Sequence, residues 1–177
     1  VQTCALPIWL PVQPAQSANP GLLDLDLLRD TLRPETILVS VMLANNEIGV
    51  IQPLAEISRI CAERGIAVHC DATQAIGKLP VAVDQLGVDL LSFTAHKLHG
   101  PKGIGALFIR SRGRRIRLQS QIEGGGQEQG RRGGTVNVSG IVGFARALEL
   151  CLSTLTADAK QMAQLRDQFY QRLAAEL

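Results

Sequence analysis

The sequence predicts an α/β protein with a mainly parallel sheet, because short apolar strands alternate along it with helical segments. Strands are expected at residues 37–43, 66–70, 88–93 and 104–109. The first of these runs is apolar and β-branched, which is typical of a strand buried on both faces. Apolar residues make up 46% of the 177 residues and aromatic residues only 3%, so we expect a packed, aliphatic core.

Helices are predicted between these strands from the spacing of apolar residues and from Pro and Gly. The first is expected over residues 22–32, closed before Pro34. The second opens at Pro53, and Gly65 stands where the glycine that follows a helix belongs. Apolar side chains of this second helix that share one face are Leu54, Ile57, Ile60 and Cys61. Helical spacing returns over residues 141–155 and 162–173.

Charge and composition exclude several classes of function. Lysine plus arginine is 18 and aspartate plus glutamate is 16, a balance of +2 that gives no indication of a nucleic-acid partner or a basic membrane anchor. No run of about 20 apolar residues is present, so no membrane-spanning helix is expected. The arginine-rich residues 110–117 lack interleaved aromatics and are expected to form a solvated loop. The four widely spaced cysteines fit reduced thiols in a cytoplasmic protein.

The two ends of the chain differ from its middle. Residues 1–20 are irregular and Pro-rich, and residues 1–8 resemble a translated sequencing-library adapter, so we expect those eight not to be native. At the other end, residue 177 falls inside an apparent helix without a capping Gly or Pro. We therefore expect the chain to be a fragment of a longer protein.

Polar groups follow three of the predicted strands. They lie at residues 45–47, 71–74 and 94–97. Because ligands of open α/β sheets gather beyond the carboxyl ends of the strands, we expect these groups to share one site. Lys97 could supply an amine for a Schiff base, and Asp71 a carboxylate for the nitrogen of a charged heterocycle.

Four segments together resemble one family. They are NNEIGVIQP, DATQAIGK, SFTAHKLHGPKGIGAL and GGGQEQGRRGGT. In this order they are similar to the pyridoxal phosphate (PLP) dependent cysteine desulfurases of the NifS/IscS group, which are class V aminotransferases. The resemblance runs from about residue 21 to residue 177. It implies an incomplete three-layer large domain of PLP fold type I over residues 21–153, and a helix over residues 154–177 that leads into a missing small domain.

The resemblance also implies roles for individual residues. Lys97 would be the Schiff-base lysine that moves the α proton, and Asp71 would pair with the protonated pyridine nitrogen. Gln74 and Asn46 would hydrogen-bond the phenolic oxygen of PLP.

The phosphate of PLP would be bound by residues near the lysine and by a second subunit. Thr94, where the family usually has serine, and His96 would contact it in the same subunit. Thr135 would reach the phosphate of a neighbouring subunit, which implies a homodimer.

The activity implied by the resemblance converts L-cysteine to L-alanine and passes sulfur, as a persulfide on an enzyme cysteine, to an acceptor or scaffold protein. In the family the nucleophilic cysteine and a ring-stacking histidine lie in parts that this chain lacks. We therefore expect the 177-residue chain itself to be inactive in sulfur transfer. Selenocysteine lyase, or another PLP enzyme of the aminotransferase fold, is the alternative within the same fold.

Two further alternatives come from outside PLP chemistry. One is a non-catalytic binding module, and the other is a metal-dependent hydrolase. The ligands of that hydrolase would be His69, Asp71, His96 and His99. Taken singly, each predicted site residue also has an ordinary interpretation. A strand-end Asp often caps a helix, an Asn-Asn pair often forms a turn, and Thr135 could cap the helix that follows it.

Overall fold

A computed structural model describes residues 7–113 and 116–176. Cys4, most of the segment expected not to be native, and two of the arginines in residues 110–117 lie outside the described residues. Four strands form one sheet, in the order β1 (Leu38–Met42), β2 (Ala67–Asp71), β3 (Leu90–Thr94) and β4 (Gly105–Ile109). β1, β2 and β3 are parallel, and β4 pairs with β3 in the antiparallel direction. The prediction of a mainly parallel α/β sheet is therefore confirmed.

The helices between the strands follow the sequence signals closely. α1 (Leu25–Thr31) begins after Asp24, whose carboxylate accepts hydrogen bonds from two backbone N–H groups of the first turn. α2 (Leu54–Glu63) buries the predicted apolar face completely, and Gly65 follows it with a φ of +65°. A one-turn helix, α3 (Val83–Leu86), was not predicted because four residues carry too little periodicity.

The main core lies between α1, α2 and one face of the sheet. The opposite face of β1 is not covered by the described residues, and Leu38 is 46% exposed. The prediction that this strand is buried on both faces is therefore wrong for the described structure. An apolar run indicates that both faces of a strand can be buried, but the elements that bury the second face are distant in the sequence.

Arg110, the first residue of the arginine-rich segment, is part of the folded structure rather than of a solvated loop. Its guanidinium donates to the backbone oxygens of Val83 and Val88, at 2.7 and 2.8 Å, and pairs with Asp84 at 2.7 Å. The side chain is only 21% exposed. It therefore ties α3 to the start of β3 and to the end of β4.

A one-turn helix, α4 (Gln127–Gly130), precedes the last element, α5 (Val138–Glu176). α5 is one continuous helix of 39 residues that runs across position 153 without a break. By length and composition alone it could cross a membrane, although it contains no run of about 20 apolar residues. Only 11% of its most apolar window is buried by the described residues. Its Phe144 ring nevertheless packs on Phe93 of β3 at a centroid distance of 5.2 Å, so one stripe of the helix docks on the sheet.

Candidate functional site

The carboxyl ends of β2 and β3 bring two of the predicted site residues to one edge of the sheet. Asp71 is the last residue of β2 and Thr94 is the last residue of β3. In the register of these parallel strands Asp71 is paired with Ser92, two residues before Thr94. The prediction that the strand-end groups share one edge therefore agrees with the observed topology.

Asp71 is half-buried, and a local hydrogen bond holds its carboxylate. The Oδ1 atom accepts the backbone N–H of Thr73 at 2.9 Å. Across the described residues no other hydrogen bond to this carboxylate is found, so Oδ2 is available to a ligand. The buried thiol of neighbouring Cys70 has a pKa raised to about 12, first by burial and then by the negative charge of Asp71.

Lys97 lies on a single 3₁₀ turn, Ala95–Leu98, directly after β3. Ala95 and Leu98 are buried beneath this turn, whereas His96 and Lys97 are exposed above it. This division follows from the three-residue repeat of a 3₁₀ helix, which places residues i and i+3 on the same side. The turn thus presents the lysine amine at the sheet edge and anchors it through two apolar neighbours.

The hydroxyl of Thr94 connects β3 to this turn. Its Oγ1 lies 2.9 Å from Nδ1 of His96 and donates to the backbone oxygen of Ile104 at 3.2 Å. Because the single hydroxyl hydrogen is donated to Ile104, the hydroxyl accepts from Nδ1–H of His96, and this bond holds the hydroxyl and the imidazole side by side. Their juxtaposition is what a phosphate-binding role would need.

One charged neighbour of Lys97 was not predicted as a site residue. The pKa of Lys78 is lowered by burial and, to a smaller extent, by the positive charge of Lys97, while Cys151 opposes the shift. Lys78 closes the DATQAIGK segment, so its position in a motif was the available signal. Its proximity to Lys97 depends on how the turns after β2 fold, which the sequence pattern does not specify.

The remaining predicted site residues lie in turns. Asn46 is exposed after β1, and Gln74 is half-buried after β2. The preceding Asn45 forms the turn itself, because its Oδ1 accepts the backbone N–H groups of residues 47 and 48 at 2.8 and 2.9 Å. The turn interpretation therefore holds for Asn45, and the amide of Asn46 is left to face solvent.

Thr135 is exposed in the loop before α5. In the described part of the chain, no hydrogen bond joins it to the other predicted site residues. It does not cap α5 either, because Oδ1 of Asn137 accepts the backbone N–H of Gly140 at 2.9 Å. A role for Thr135 across a subunit interface stays a prediction.

The residues proposed for a hydrolytic metal site are not gathered together. Both ring nitrogens of His69 are hydrogen-bonded to serine hydroxyls, and Nδ1 of His96 is hydrogen-bonded to Thr94. Over residues 7–113 and 116–176, no group of three His, Cys, Asp or Glu side chains is placed to share a metal ion. The observed arrangement therefore does not support that alternative.

The donor set at the sheet edge fits PLP chemically. A carboxylate with one unused oxygen suits a protonated ring nitrogen, an exposed amine suits an aldehyde, and a hydroxyl paired with an imidazole suits a phosphate. The chain is thus an α/β protein that presents a lysine, a carboxylate and a hydroxyl–imidazole pair at the carboxyl edge of a mainly parallel sheet.

Comparison with known proteins places this architecture in a family. The sequence pattern of the family described as Aminotransferase class-V matches residues 10–176. The chain belongs to this family. It is 51% identical over 157 residues to a protein named Cysteine desulfurase IscS from Anaeromyxobacter dehalogenans strain 2CP-C, a match that covers 89% of the chain and 39% of that relative.

Solved structures agree with the family assignment. A structure described as a NifS-like protein superposes with a TM-score of 0.86 at 42% identity, and the match covers 95% of the chain and 44% of that structure. A second, described as SspA in complex with cysteine, has a TM-score of 0.68 at 42% identity and covers 72% of the chain and 37% of that structure. The PLP fold-type I architecture is therefore shown, and the chain spans about 39% of the length of its curated relative.

Proposed function

We propose that the protein is a PLP-dependent cysteine desulfurase. The observation that carries this proposal is the common sheet edge on which Asp71, Thr94 and the turn bearing Lys97 lie. The identity of 51% to a protein named cysteine desulfurase supports the same chemistry, as does the likeness to a protein solved in complex with cysteine. L-cysteine is the proposed substrate, and L-alanine is the proposed product.

In this proposal each residue of the chain has a defined task. Asp71 would hold the ring nitrogen in its protonated form, Thr94 and His96 would bind the phosphate, and Gln74 and Asn46 would hydrogen-bond the phenolic oxygen. Bound PLP supplies an electron sink for the α carbon of the substrate. Lys97 would hold the cofactor through its amine, and the free amine would take the proton from the α carbon of cysteine.

The sulfur balance of the reaction requires a second thiol. L-cysteine and a thiol give L-alanine and a persulfide, so the C–S bond of the substrate breaks and an S–S bond forms. Cys61 and Cys70 are unsuited to this step, because burial raises their thiol pKa values to about 11 and about 12. We propose that the accepting thiol is neither of them, and that the persulfide sulfur passes to an acceptor or scaffold protein.

The defining experiment uses the natural full-length protein loaded with PLP. Incubation with L-cysteine and a dithiol reductant should release alanine and sulfide in equal amounts. Reduction of the resting protein with borohydride, followed by peptide mapping, should place the pyridoxyl label on Lys97. A Lys97→Ala variant should lose both signals, whereas Lys102→Ala, a change at a nearby exposed lysine, should keep them.

Different outcomes would identify the alternatives. A label on a lysine other than Lys97 would contradict the site assignment. Turnover of selenocysteine without turnover of cysteine would indicate a selenocysteine lyase, and turnover of neither, with the label on Lys97, would indicate another PLP reaction of this fold.

The homodimer, the cytoplasmic location and the contribution of Thr135 to a second site belong to the same proposal. Sedimentation of the wild type would test the dimer.

A further inference from the structure

His69 lies at the centre of a hydrogen-bonded row that crosses three strands. Its Nδ1 atom is 2.8 Å from the hydroxyl of Ser40 on β1, and its Nε2 atom is 2.9 Å from the hydroxyl of Ser92 on β3. Ser40 is the register partner of His69. The row thus ties β2 to both of its neighbours on one face of the sheet.

This row is adjacent to the Asp71 carboxylate. His69 and Asp71 are two residues apart on β2, and side chains at i and i+2 of a strand point to the same face. Ser92 is the register partner of Asp71, so it lies directly across from the carboxylate while its hydroxyl is bonded to His69. The imidazole and the serine therefore flank Asp71 along the strand and across it.

We propose that His69, bridged between Ser40 and Ser92, is a positioning residue for the Asp71 carboxylate and thereby sets how strongly Asp71 holds the ring nitrogen of PLP. This inference rests on the proposed function, because it assigns Asp71 to the ring nitrogen. The row fixes the register of β1 and β3 relative to β2 at His69, two residues before Asp71. It thus restricts the direction in which the carboxylate leaves the sheet.

The charge of His69 bears on the same interaction. Two hydroxyls can satisfy either a neutral ring, which donates once and accepts once, or a cationic ring, which donates twice. Burial lowers the pKa of His69, and the smaller effect of Asp71 opposes this. The flanking strands β1 (LVSVM) and β3 (LLSFT), and β4 (GALFI) beyond them, contain no titratable side chain. A neutral ring leaves the charge of Asp71 to the cofactor.

The test compares two cofactors that differ only at the ring nitrogen. Dissociation constants are measured on the unloaded full-length protein for PLP and for its 1-deaza analogue, in which CH replaces the nitrogen. His69→Leu should weaken PLP binding about tenfold and analogue binding by about twofold or less, because only PLP can use Asp71. Equal losses for both cofactors would reduce His69 to a structural role and overturn the inference.

Companion variants keep the test decisive. Ser92→Ala removes the hydrogen bond to Nε2 of His69 and changes the side-chain volume little. It should weaken PLP binding relative to analogue binding by about threefold. It carries the test if His69→Leu does not fold. Ser58→Ala is the matched control on α2, at a buried serine whose hydroxyl has no hydrogen-bond partner among the described residues, and it should leave both dissociation constants unchanged.

Asp71→Asn separates failure of this inference from failure of the proposed function. This variant should lose PLP affinity and keep its affinity for the analogue. If it weakens both cofactors equally, the Asp71 assignment falls and the inference falls with it. If Asp71→Asn is selective while His69→Leu and Ser92→Ala are not, only the positioning role of His69 is refuted.

Discussion

The contact between Gly77 and the turn that bears Lys97 leads to a quantitative prediction. Gly77 has a φ of +74°, a conformation that costs an L-residue about 1 to 2 kcal/mol. A Cβ atom added there would lie 2.5 Å from Cδ2 of Leu98 and 3.2 Å from Cβ of Cys151. Gly77→Ala therefore combines backbone strain with a steric clash.

The clash cannot be relieved easily by rotating Leu98. That side chain is 2% exposed and packs in a small cluster with Ala95 and Phe144. Overpacking of this kind costs about 1 to 3 kcal/mol, so the total loss in the free energy of unfolding should be about 2 to 5 kcal/mol. The matched control is Gly65→Ala, which has a φ of +65° and nothing within 4 Å of the added Cβ, and it should lose only the backbone term.

Urea denaturation of both variants and of the wild type measures the difference directly. Gly77→Ala should be less stable than Gly65→Ala by at least about 1 kcal/mol. Because Leu98 adjoins Lys97, Gly77→Ala should also lower the yield of borohydride-trapped PLP, whereas Gly65→Ala should not. Equal destabilisation of the two variants would refute the packing argument, since both carry the same backbone strain.

Three further predictions follow from burial and charge. Ser58→Ala should raise the free energy of unfolding by about 1 kcal/mol in urea denaturation, because the buried hydroxyl has no hydrogen-bond partner in the described structure, and a loss of stability would contradict this. At pH 8, Cys61 and Cys70 should resist iodoacetamide while half-exposed Cys151 reacts, as mapped by peptide mass spectrometry, because burial raises the pKa values of the first two to about 11 and about 12. The folded pKa of His69 lies below its unfolded value, so the unfolded state binds more protons and stability should fall as the pH drops through about 6.5. His69→Gln should flatten that part of the pH profile of unfolding, and an unchanged slope would show that other groups produce it.

Local signals in the sequence predicted most of the elements. α2 was predicted correctly because apolar spacing, Pro53 and Gly65 are all encoded within about one dozen residues. The four strands were found within one or two residues of their ends. The antiparallel direction of β4 and the open second face of β1 were not found, because both depend on which elements pack together rather than on the strand's own residues.

At the site, too, the features set by local sequence could be predicted and those set by strand packing could not. Asp71 and Thr94 could be placed at one edge because the carboxyl ends of parallel strands meet there, whatever the register. The bonds of His69 could not be predicted, since its partners are 29 and 23 residues away and are brought to it only by the register of β1 and β3. A slip of one residue would turn Ser40 or Ser92 to the opposite face.

This dependence on register explains why an ordinary serine can matter at this edge. A strand-end carboxylate is positioned by its strand, and the register of that strand is set by the neighbouring strands to which it is hydrogen-bonded. Backbone pairing permits a sheet to slide in steps of two residues without changing which face a side chain occupies. The Ser40–His69–Ser92 row discriminates against such slips of β1, because a two-residue slip would separate the hydroxyl of Ser40 from the half-buried ring of His69. The same bonds that select the register therefore also fix where Asp71 presents its charge.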